Sequence, residues 1–353
     1  MQVIVLGAHR SGTSVTAGLI RMMGFTAGEA EQLELLTPNR ENPKGYFERR
    51  DVVELNDRIL RAMRGNWSSV MGLEDGEMDE EQLEEIRVAI ERKTGELRRN
   101  KRWFLKDPRM SLTLPFWLEH VEQPIVVHPF RSPVEVALSL RERDQFPISF
   151  GMALWEYYVA KAIENSHGLP AVYVSYANIL SDPLGAAQRL RDDLMRVSGE
   201  EVDVVSEQEL RAFVDPSLYR SRYTGSIPGV SDSQTDLYAE LERRARGEMI
   251  APPKVSSFSR EELICMEASM SATKRSTHRR LGKNYLAESK MLWEKIHDLE
   301  GSLSAISDDY LSLAEAGVFS RRRWRAALRT IRYGVLRRTK EVLDAFEEER
   351  RVD

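Results

Sequence analysis

The sequence predicts an α/β fold in which a parallel sheet is flanked by helices, followed by an α-helical C-terminal extension. Over residues 1–200, short apolar runs alternate with helical patterns, and the first run leads through a glycine-rich turn into a helix. From Ser259 onward the pattern is entirely helical. We therefore expect a core domain over residues 1–215, an irregular capping or linker segment over 216–258, and a helical extension over 259–353.

The strands and helices of the core alternate along the chain. Apolar runs bounded by polar residues or proline predict four strands, at residues 2–6, 103–105, 125–130 and 171–175. Helical patterns lie at residues 15–23, 79–98, 133–143, 151–166 and 183–197. Because strands that are joined by helices run in the same direction, we expect a parallel sheet covered on both faces.

The segment after the core is predicted to be irregular, because glycine and proline recur in it and interrupt regular elements. These residues are Pro216, Gly225, Pro228, Gly229, Gly247, Pro252 and Pro253. Beyond it, apolar residues follow a spacing typical of a coiled-coil seam, at Tyr285, Leu292, Ile296, Leu299, Leu303, Ile306, Tyr310 and Leu313. This seam packs either on its own domain or in a homo-oligomer or partner interface, and the pattern alone favours neither.

The last helix is basic from Arg321 to Lys340 and has apolar residues between its charges. Such a helix is either a solvated face or a peripheral contact with an anionic membrane surface, and we favour the solvated face.

Composition and charge exclude several classes of protein. The 353 residues carry a net charge of −5, which argues against a nucleic-acid partner. Cys265 is the only cysteine, so neither a disulfide framework nor an all-cysteine metal site can form within one chain. The first apolar run begins next to Met1 and no apolar stretch reaches about 18 residues, so we expect neither a signal peptide nor a spanning helix. We expect a cytoplasmic protein without a bound metal.

The glycine-rich turn at residues 7–14 has the properties of an anion-binding loop. It lies between the first strand and the first helix, where backbone N–H groups and the positive end of a helix surround an anion, and this makes the predicted sheet P-loop-type. Arg10 adds a positive charge, and Ser11, Thr13 and Ser14 add hydroxyl groups. A nucleotide triphosphatase has lysine where this chain has Thr13, so a small-molecule kinase that uses ATP is the less favoured alternative.

Four segments resemble the sulfotransferase family. His9-Arg10-Ser11-Gly12-Thr13-Ser14 is similar to its 5′-phosphosulfate loop, and the segment from Phe130 to Leu140, with Arg131 and Ser139, is similar to its 3′-phosphate motif. Residues 42–48 (NPKGYFE) and 103–109 (WFLKDPR) resemble a bacterial branch often associated with saccharide modification. The resemblance covers roughly residues 1–200 and implies the sulfotransferase fold.

The resemblance also implies a co-substrate, 3′-phosphoadenosine 5′-phosphosulfate (PAPS). Its binding residues are then His9, Arg10, Ser11, Gly12, Thr13, Ser14, Arg131 and Ser139. PAPS carries a 3′-phosphate that ADP and ATP lack, so two separated anion sites match one nucleotide. The implied reaction moves a sulfuryl group to an acceptor hydroxyl, for which we favour a saccharide, and releases adenosine 3′,5′-bisphosphate. A non-catalytic scaffold with a helical partner-binding tail is the second alternative.

Catalysis of this reaction needs a base and several cations. By resemblance Glu48 is the favoured base, with Asp107 and His9 as rivals, while Lys106 and Arg10 are expected to stabilise negative charge. Four further aromatic residues either stack on a sugar or belong to the core: Trp67, Trp155, Tyr157 and Tyr158. Arg109 is a candidate for contact with the acceptor or the nucleotide. Three residues of the irregular segment are candidates for closing over the site: Arg220, Arg222 and Tyr223.

Overall fold

The computed structural model describes residues 1–28, 45–214 and 230–270. Within these ranges four strands form one parallel sheet in the order β2-β1-β3-β4. The strands are β1 (Gln2–Val5), β2 (Trp103–Lys106), β3 (Ile125–Phe130) and β4 (Ala171–Ser175). Each predicted strand is present within one residue of its predicted ends. The predicted α/β fold, a parallel sheet flanked by helices, is confirmed.

Ten helices of the described ranges accompany the sheet. They are α1 (Thr13–Met22), α2 (Arg50–Ala62), α3 (Glu80–Leu97), α4 (Met110–Leu118), α5 (Pro133–Asp144), α6 (Ile148–Asn165), α7 (Tyr176–Ser181), α8 (Pro183–Ser198), α9 (Glu207–Phe213) and α10 (Asp232–Ala245). Residues 257–270 are also helical, and Met71–Glu74 form a 3-10 turn. The predicted seam and basic helix lie outside the described residues.

The strand register brings the loops of the candidate site to one edge of the sheet. Val5 of β1 is level with Lys106 of β2 on one side and with Val127 of β3 on the other. Because the strands are parallel, the segments that follow them leave the sheet at the same edge. Successive side chains of β1 point to opposite faces of the sheet and belong to two separate hydrophobic cores. Val3 and Val5 pack with α1 and α8, whereas Ile4 packs with α2, α3 and α4.

The prediction that residues 216–258 are irregular is wrong for α10, which occupies positions 232–245. The glycines and prolines flank this helix and do not interrupt it. Ser231 caps its N-terminus in a reciprocal capping box with Gln234, and Leu237 and Leu241 bury one face. The helices α2 and α4 were also not predicted, although Val52, Leu55 and Ile59 have helical spacing and are buried, and α4 contains Pro115.

The described residues belong to one compact unit, Met1–Ser271. No helix in the described part of the chain combines the length and the apolar character that are needed to cross a bilayer.

Candidate active site

The glycine-rich turn has the backbone of an anion-binding loop. Gly7, Arg10 and Gly12 all have positive φ angles, of 140°, 67° and 89°, so the chain turns sharply before α1. Gly12 has no space for a side chain, because a Cβ atom there would lie 2.6 Å from the ring of Tyr176. No side chain caps the first turn of α1. The Oγ of Ser11 is buried without a hydrogen-bond partner among the described residues. The loop thus offers unsatisfied donors to an anion.

The loop is fixed to α4 by Ser111, a residue that sequence reasoning missed. The Gly7 N–H donates to Ser111 Oγ at 2.8 Å, and the Ser111 hydroxyl donates to the Gly7 carbonyl oxygen at 3.2 Å. Ser111 is fully buried, so these two bonds tie the end of β1 to the helix that follows β2. A lone serine in an apolar helix gave no signal in the sequence.

The two segments that were predicted to bind phosphate are brought together. Arg10 Nε donates to Ser139 Oγ at 2.8 Å, and Arg131 donates from Nη1 to the carbonyl oxygen of Arg10 at 3.3 Å. Arg131 also donates to Glu135 at 3.0 Å and lies over the ring of Tyr176, 4.9 Å from its centroid. The predicted 5′- and 3′-phosphate motifs are therefore in contact.

Lys106, at the end of β2, contacts the carboxylate of Glu48. The same ammonium group donates to Ser14 Oγ at 3.3 Å, so it links Glu48 to the phosphate loop. The Lys106 side chain is 1% exposed and that of Glu48 is 13% exposed. Burial raises the pKa of Glu48, and the positive charge of Lys106 opposes that rise. The predicted base and the predicted cation are therefore neighbours.

Asp107, the first rival base, is held in a buried hydrogen-bond network. Its Oδ1 accepts from the backbone N–H and from Nη1 of Arg109, and its Oδ2 accepts from Asn56 at 2.9 Å. Asp57 accepts from the Nε of Arg109 at 2.6 Å. Asn56, which sequence reasoning missed, also accepts from Thr113 and from Trp117. These hydrogen bonds hold Asp107 in the turn after β2, and its role as a base stays a prediction.

His9, the second rival base, lies against an aromatic wall. Its ring centroid is 4.7 Å from that of Trp67 and 5.3 Å from that of Tyr158. Burial, reinforced by the positive charge of Arg109 and other nearby cations, holds the pKa of His9 well below its usual range. Its Nε2 is buried and has no hydrogen-bond partner among the described residues. His9 therefore lies next to the rings of Trp67 and Tyr158, and its predicted roles in nucleotide binding and as a base stay predictions.

The four candidate aromatic residues have two different positions. Trp155 and Tyr157 are residues of α6 and are buried in the core. Tyr158 is also buried, but its hydroxyl donates to the Trp67 carbonyl oxygen at 2.8 Å and its ring meets His9. Trp67 is half-buried. The rings of Trp67 and Tyr158 both meet His9 of the loop. Arg220, Arg222, Tyr223 and residues 42–44 lie outside the described residues.

In the ranges that the structure describes, no group of three histidine, cysteine or carboxylate side chains is arranged to hold a metal ion. The candidate site combines a loop rich in N–H donors, several arginines and a buried carboxylate beside a lysine. Such an arrangement can bind a polyanion and take up a proton.

Solved structures that resemble the chain include the sulfotransferase domain from the Synechococcus PCC 7002 olefin synthase, at 16% identity and a TM-score of 0.34, covering 75% of this chain and 94% of that one. The sulfotransferase domain from the curacin biosynthetic pathway has 16% identity and a TM-score of 0.35, with coverage of 75% and 96%. Sulfotransferase STF9 from Mycobacterium avium has 13% identity and a TM-score of 0.38, with coverage of 72% and 78%.

These likenesses are too distant to assign residues, and no curated protein sequence matches the chain. The assignment comes from the family model, described as Sulfotransferase family, which matches residues 2–195. That range is more than half of the 353 residues and contains the phosphate loop, Glu48, Lys106, Arg131 and Ser139. The chain belongs to the sulfotransferase family.

Proposed function

We propose that this sulfotransferase transfers the sulfuryl group of PAPS to a saccharide hydroxyl in the cytoplasm and releases adenosine 3′,5′-bisphosphate. The observation that carries the proposal is the contact between Arg10 and Ser139, because it joins two anion-binding segments into one site. A nucleotide with phosphate groups at both its 5′ and 3′ positions fits such a pair of segments, whereas ATP has only one cluster of charge.

The donor is held at two places in this proposal. The loop from His9 to Ser14 and the uncapped start of α1 receive the 5′-phosphosulfate, with Arg10 supplying charge and Ser11 a hydroxyl. Arg131 and Ser139 receive the 3′-phosphate. The Arg131 guanidinium is buried and already oriented by Glu135, which suits it to a fixed bidentate contact.

The chemical step is an in-line displacement. The acceptor oxygen forms a bond to sulfur, the bond between sulfur and the 5′-phosphate oxygen breaks, and the acceptor proton passes to the Glu48 carboxylate. A base whose pKa is raised is a stronger proton acceptor, and burial raises that of Glu48. Lys106 and Arg10 stabilise the negative charge that develops on the departing phosphate.

The acceptor is proposed to bind on the side of His9. There the half-buried ring of Trp67 and the ring of Tyr158 border the loop, and aromatic rings of this kind pack well against the apolar face of a sugar. Glu48 is linked to the same loop, because Lys106 contacts its carboxylate and also donates a hydrogen bond to Ser14. The acceptor hydroxyl would approach Glu48 from there.

The first test of the proposal is calorimetric titration with adenosine 3′,5′-bisphosphate, AMP and magnesium-ATP. We expect micromolar or tighter binding that requires the 3′-phosphate and is lost in Arg131→Ala. Arg141→Ala is the matched control, because Arg141 is an exposed arginine on α5. Preference for magnesium-ATP would contradict the proposal and support a kinase. If the nucleotide binds, sulfur-labelled PAPS with a panel of glycosides, using phenols and amines as comparison acceptors, tests the saccharide.

A further inference from the structure

We propose that Arg49 is a positioning residue that holds the Glu48 carboxylate against Lys106. This inference rests on the proposed role of Glu48 as the base. Glu48 lies between two residues whose conformations are fixed by the rest of the protein, Phe47 on one side and Arg49 on the other. Sequence alone indicated only an arginine beside a glutamate in a loop.

Arg49 is buried in a network of four charged groups. Its side chain is 1% exposed, and its Nε and Nη2 donate to the two carboxylate oxygens of Asp51 at 3.0 and 2.8 Å. The same Nη2 donates to Glu96 of α3 at 3.2 Å, and Lys93 of α3 donates to Asp51 at 2.7 Å. Two cations and two carboxylates therefore tie the residue after Glu48 to both α2 and α3.

Phe47 fixes the chain on the other side of Glu48. It has a φ angle of 56°, which is unfavourable for an aromatic residue and persists only where the surroundings enforce it. Its buried ring packs edge to face on Phe213 of α9, with centroids 5.8 Å apart. Phe213 in turn fills the space over Gly18 of α1, where a Cβ atom would lie 2.1 Å from its ring. The backbone at Glu48 is thus set from both directions.

The hydrogen bonds of Arg49 bear on the position of Glu48 more than on stability. An ion pair with a buried cation gives little net stabilisation compared with apolar residues of the same volume, because burial removes the charge from water. Its directional hydrogen bonds do fix geometry, and the fixed geometry places a carboxylate beside Lys106, Asp107 and Arg109. Without that restraint a buried carboxylate would turn towards water, where its solvation is better.

The test measures the titration of Glu48 in the full chain by carbon-13 NMR of labelled glutamate carboxyl groups, with the signal assigned by its loss in Glu48→Gln. In Arg49→Met we expect the pKa of Glu48 to move back towards the ordinary glutamate range, and in Arg49→Lys to move only part of the way. Lys93→Met is the matched control, because it removes another cation that contacts Asp51 but is not attached to Glu48.

An unchanged Glu48 titration in folded Arg49→Met, or an equal change in Lys93→Met, would overturn the inference. If Arg49→Met does not fold, Glu96→Gln weakens the tie between Arg49 and α3 and should give a smaller shift in the same direction. No shift there would also overturn the inference. Calorimetry with adenosine 3′,5′-bisphosphate separates the two proposals. Wild-type protein that fails to bind it contradicts the proposed function, whereas the NMR titration reports on Arg49 in either case.

Discussion

Arg10 Nε donates a hydrogen bond to Ser139 Oγ at 2.8 Å, across a separation of 129 residues. The bond connects the loop after β1 to the helix after β3, and Arg131 reinforces it from the neighbouring strand end through the carbonyl oxygen of Arg10. In the proposed function, these two side chains bind one anionic nucleotide.

Removal of the Ser139 hydroxyl should weaken binding of adenosine 3′,5′-bisphosphate by about tenfold, the effect of losing one hydrogen bond to a charged group. Affinity for AMP, which has no 3′-phosphate, should not change in Ser139→Ala. Calorimetry of both nucleotides checks this. The control is Ser132→Ala, because Ser132 precedes α5 and its side chain caps nothing. Equal losses for the two nucleotides would show that Ser139 acts only on the loop.

Glu48→Gln should lower the turnover of an acceptor identified with labelled PAPS by about 10²- to 10⁴-fold, because the amide cannot take up the acceptor proton. Binding of adenosine 3′,5′-bisphosphate should stay close to that of the wild type. Glu54→Gln, an exposed position on α2, is the control and should keep full turnover. A Glu48→Gln protein that retains turnover would show that another group is the base.

The pH dependence of turnover follows from the raised pKa of Glu48. The base must be deprotonated, so activity should fall as the pH falls through that pKa, which lies above the ordinary value of 4.5. Lys106 favours the charged form, so Lys106→Met should move this acid limb to higher pH as well as lower the turnover. Profiles of kcat/KM against pH measure the position of the acid limb in the wild type and in Lys106→Met. An acid limb that does not move in Lys106→Met would argue against Glu48 as its source.

Gly12→Ala should destabilise the protein more than Gly168→Ala does. Both glycines have positive φ angles, of 89° and 85°, so alanine costs about 1 kcal/mol of backbone strain at each. At Gly12 the new Cβ atom also meets the ring of Tyr176 at 2.6 Å, whereas nothing lies within 4 Å at Gly168. Urea unfolding measures the difference. Equal losses of stability would mean that Tyr176 moves aside freely.

Because His128 is buried, we expect the free energy of unfolding to decrease in mild acid. Burial lowers its pKa from 6.5 to about 3, and its Nε2 bonds to Ser166 at 3.1 Å. Below pH 6.5 the unfolded chain binds a proton that the folded protein does not, so the free energy of unfolding decreases as the pH falls towards 3. Between pH 7 and pH 5 this contribution is about 2 kcal/mol.

The measurement is urea unfolding of the wild type and of His128→Gln at pH 7 and pH 5. The pH-dependent loss should be about 2 kcal/mol smaller in the variant. His167→Gln, at an exposed position, is the control and should lose as much as the wild type. Equal losses in wild type and His128→Gln would place the acid sensitivity elsewhere.

The predicted strands were confirmed because each is a local pattern: a short apolar run closed by polar residues or proline. The glycine-rich turn at residues 7–14 was predicted to bind phosphate from a local pattern as well, since glycine and hydroxyl residues between a strand and a helix often do so, and that role stays a prediction. The helix α10 was missed because the glycines and prolines that come before Ser231 and after Arg246 were given more weight than its capping box and its apolar face. The domain division and the roles of the site residues stay predictions.

By itself, the sequence determined the α/β order of the core and supplied the residues that are predicted to form the site. Only the tertiary structure decided which distant residues meet: Glu48 contacts Lys106, whereas Asp107 accepts a hydrogen bond from Asn56. The reason is physical. Strand and helix patterns depend on neighbours within a few residues, but a contact between groups more than 50 residues apart depends on strand register and on helix packing, which no short stretch of sequence contains.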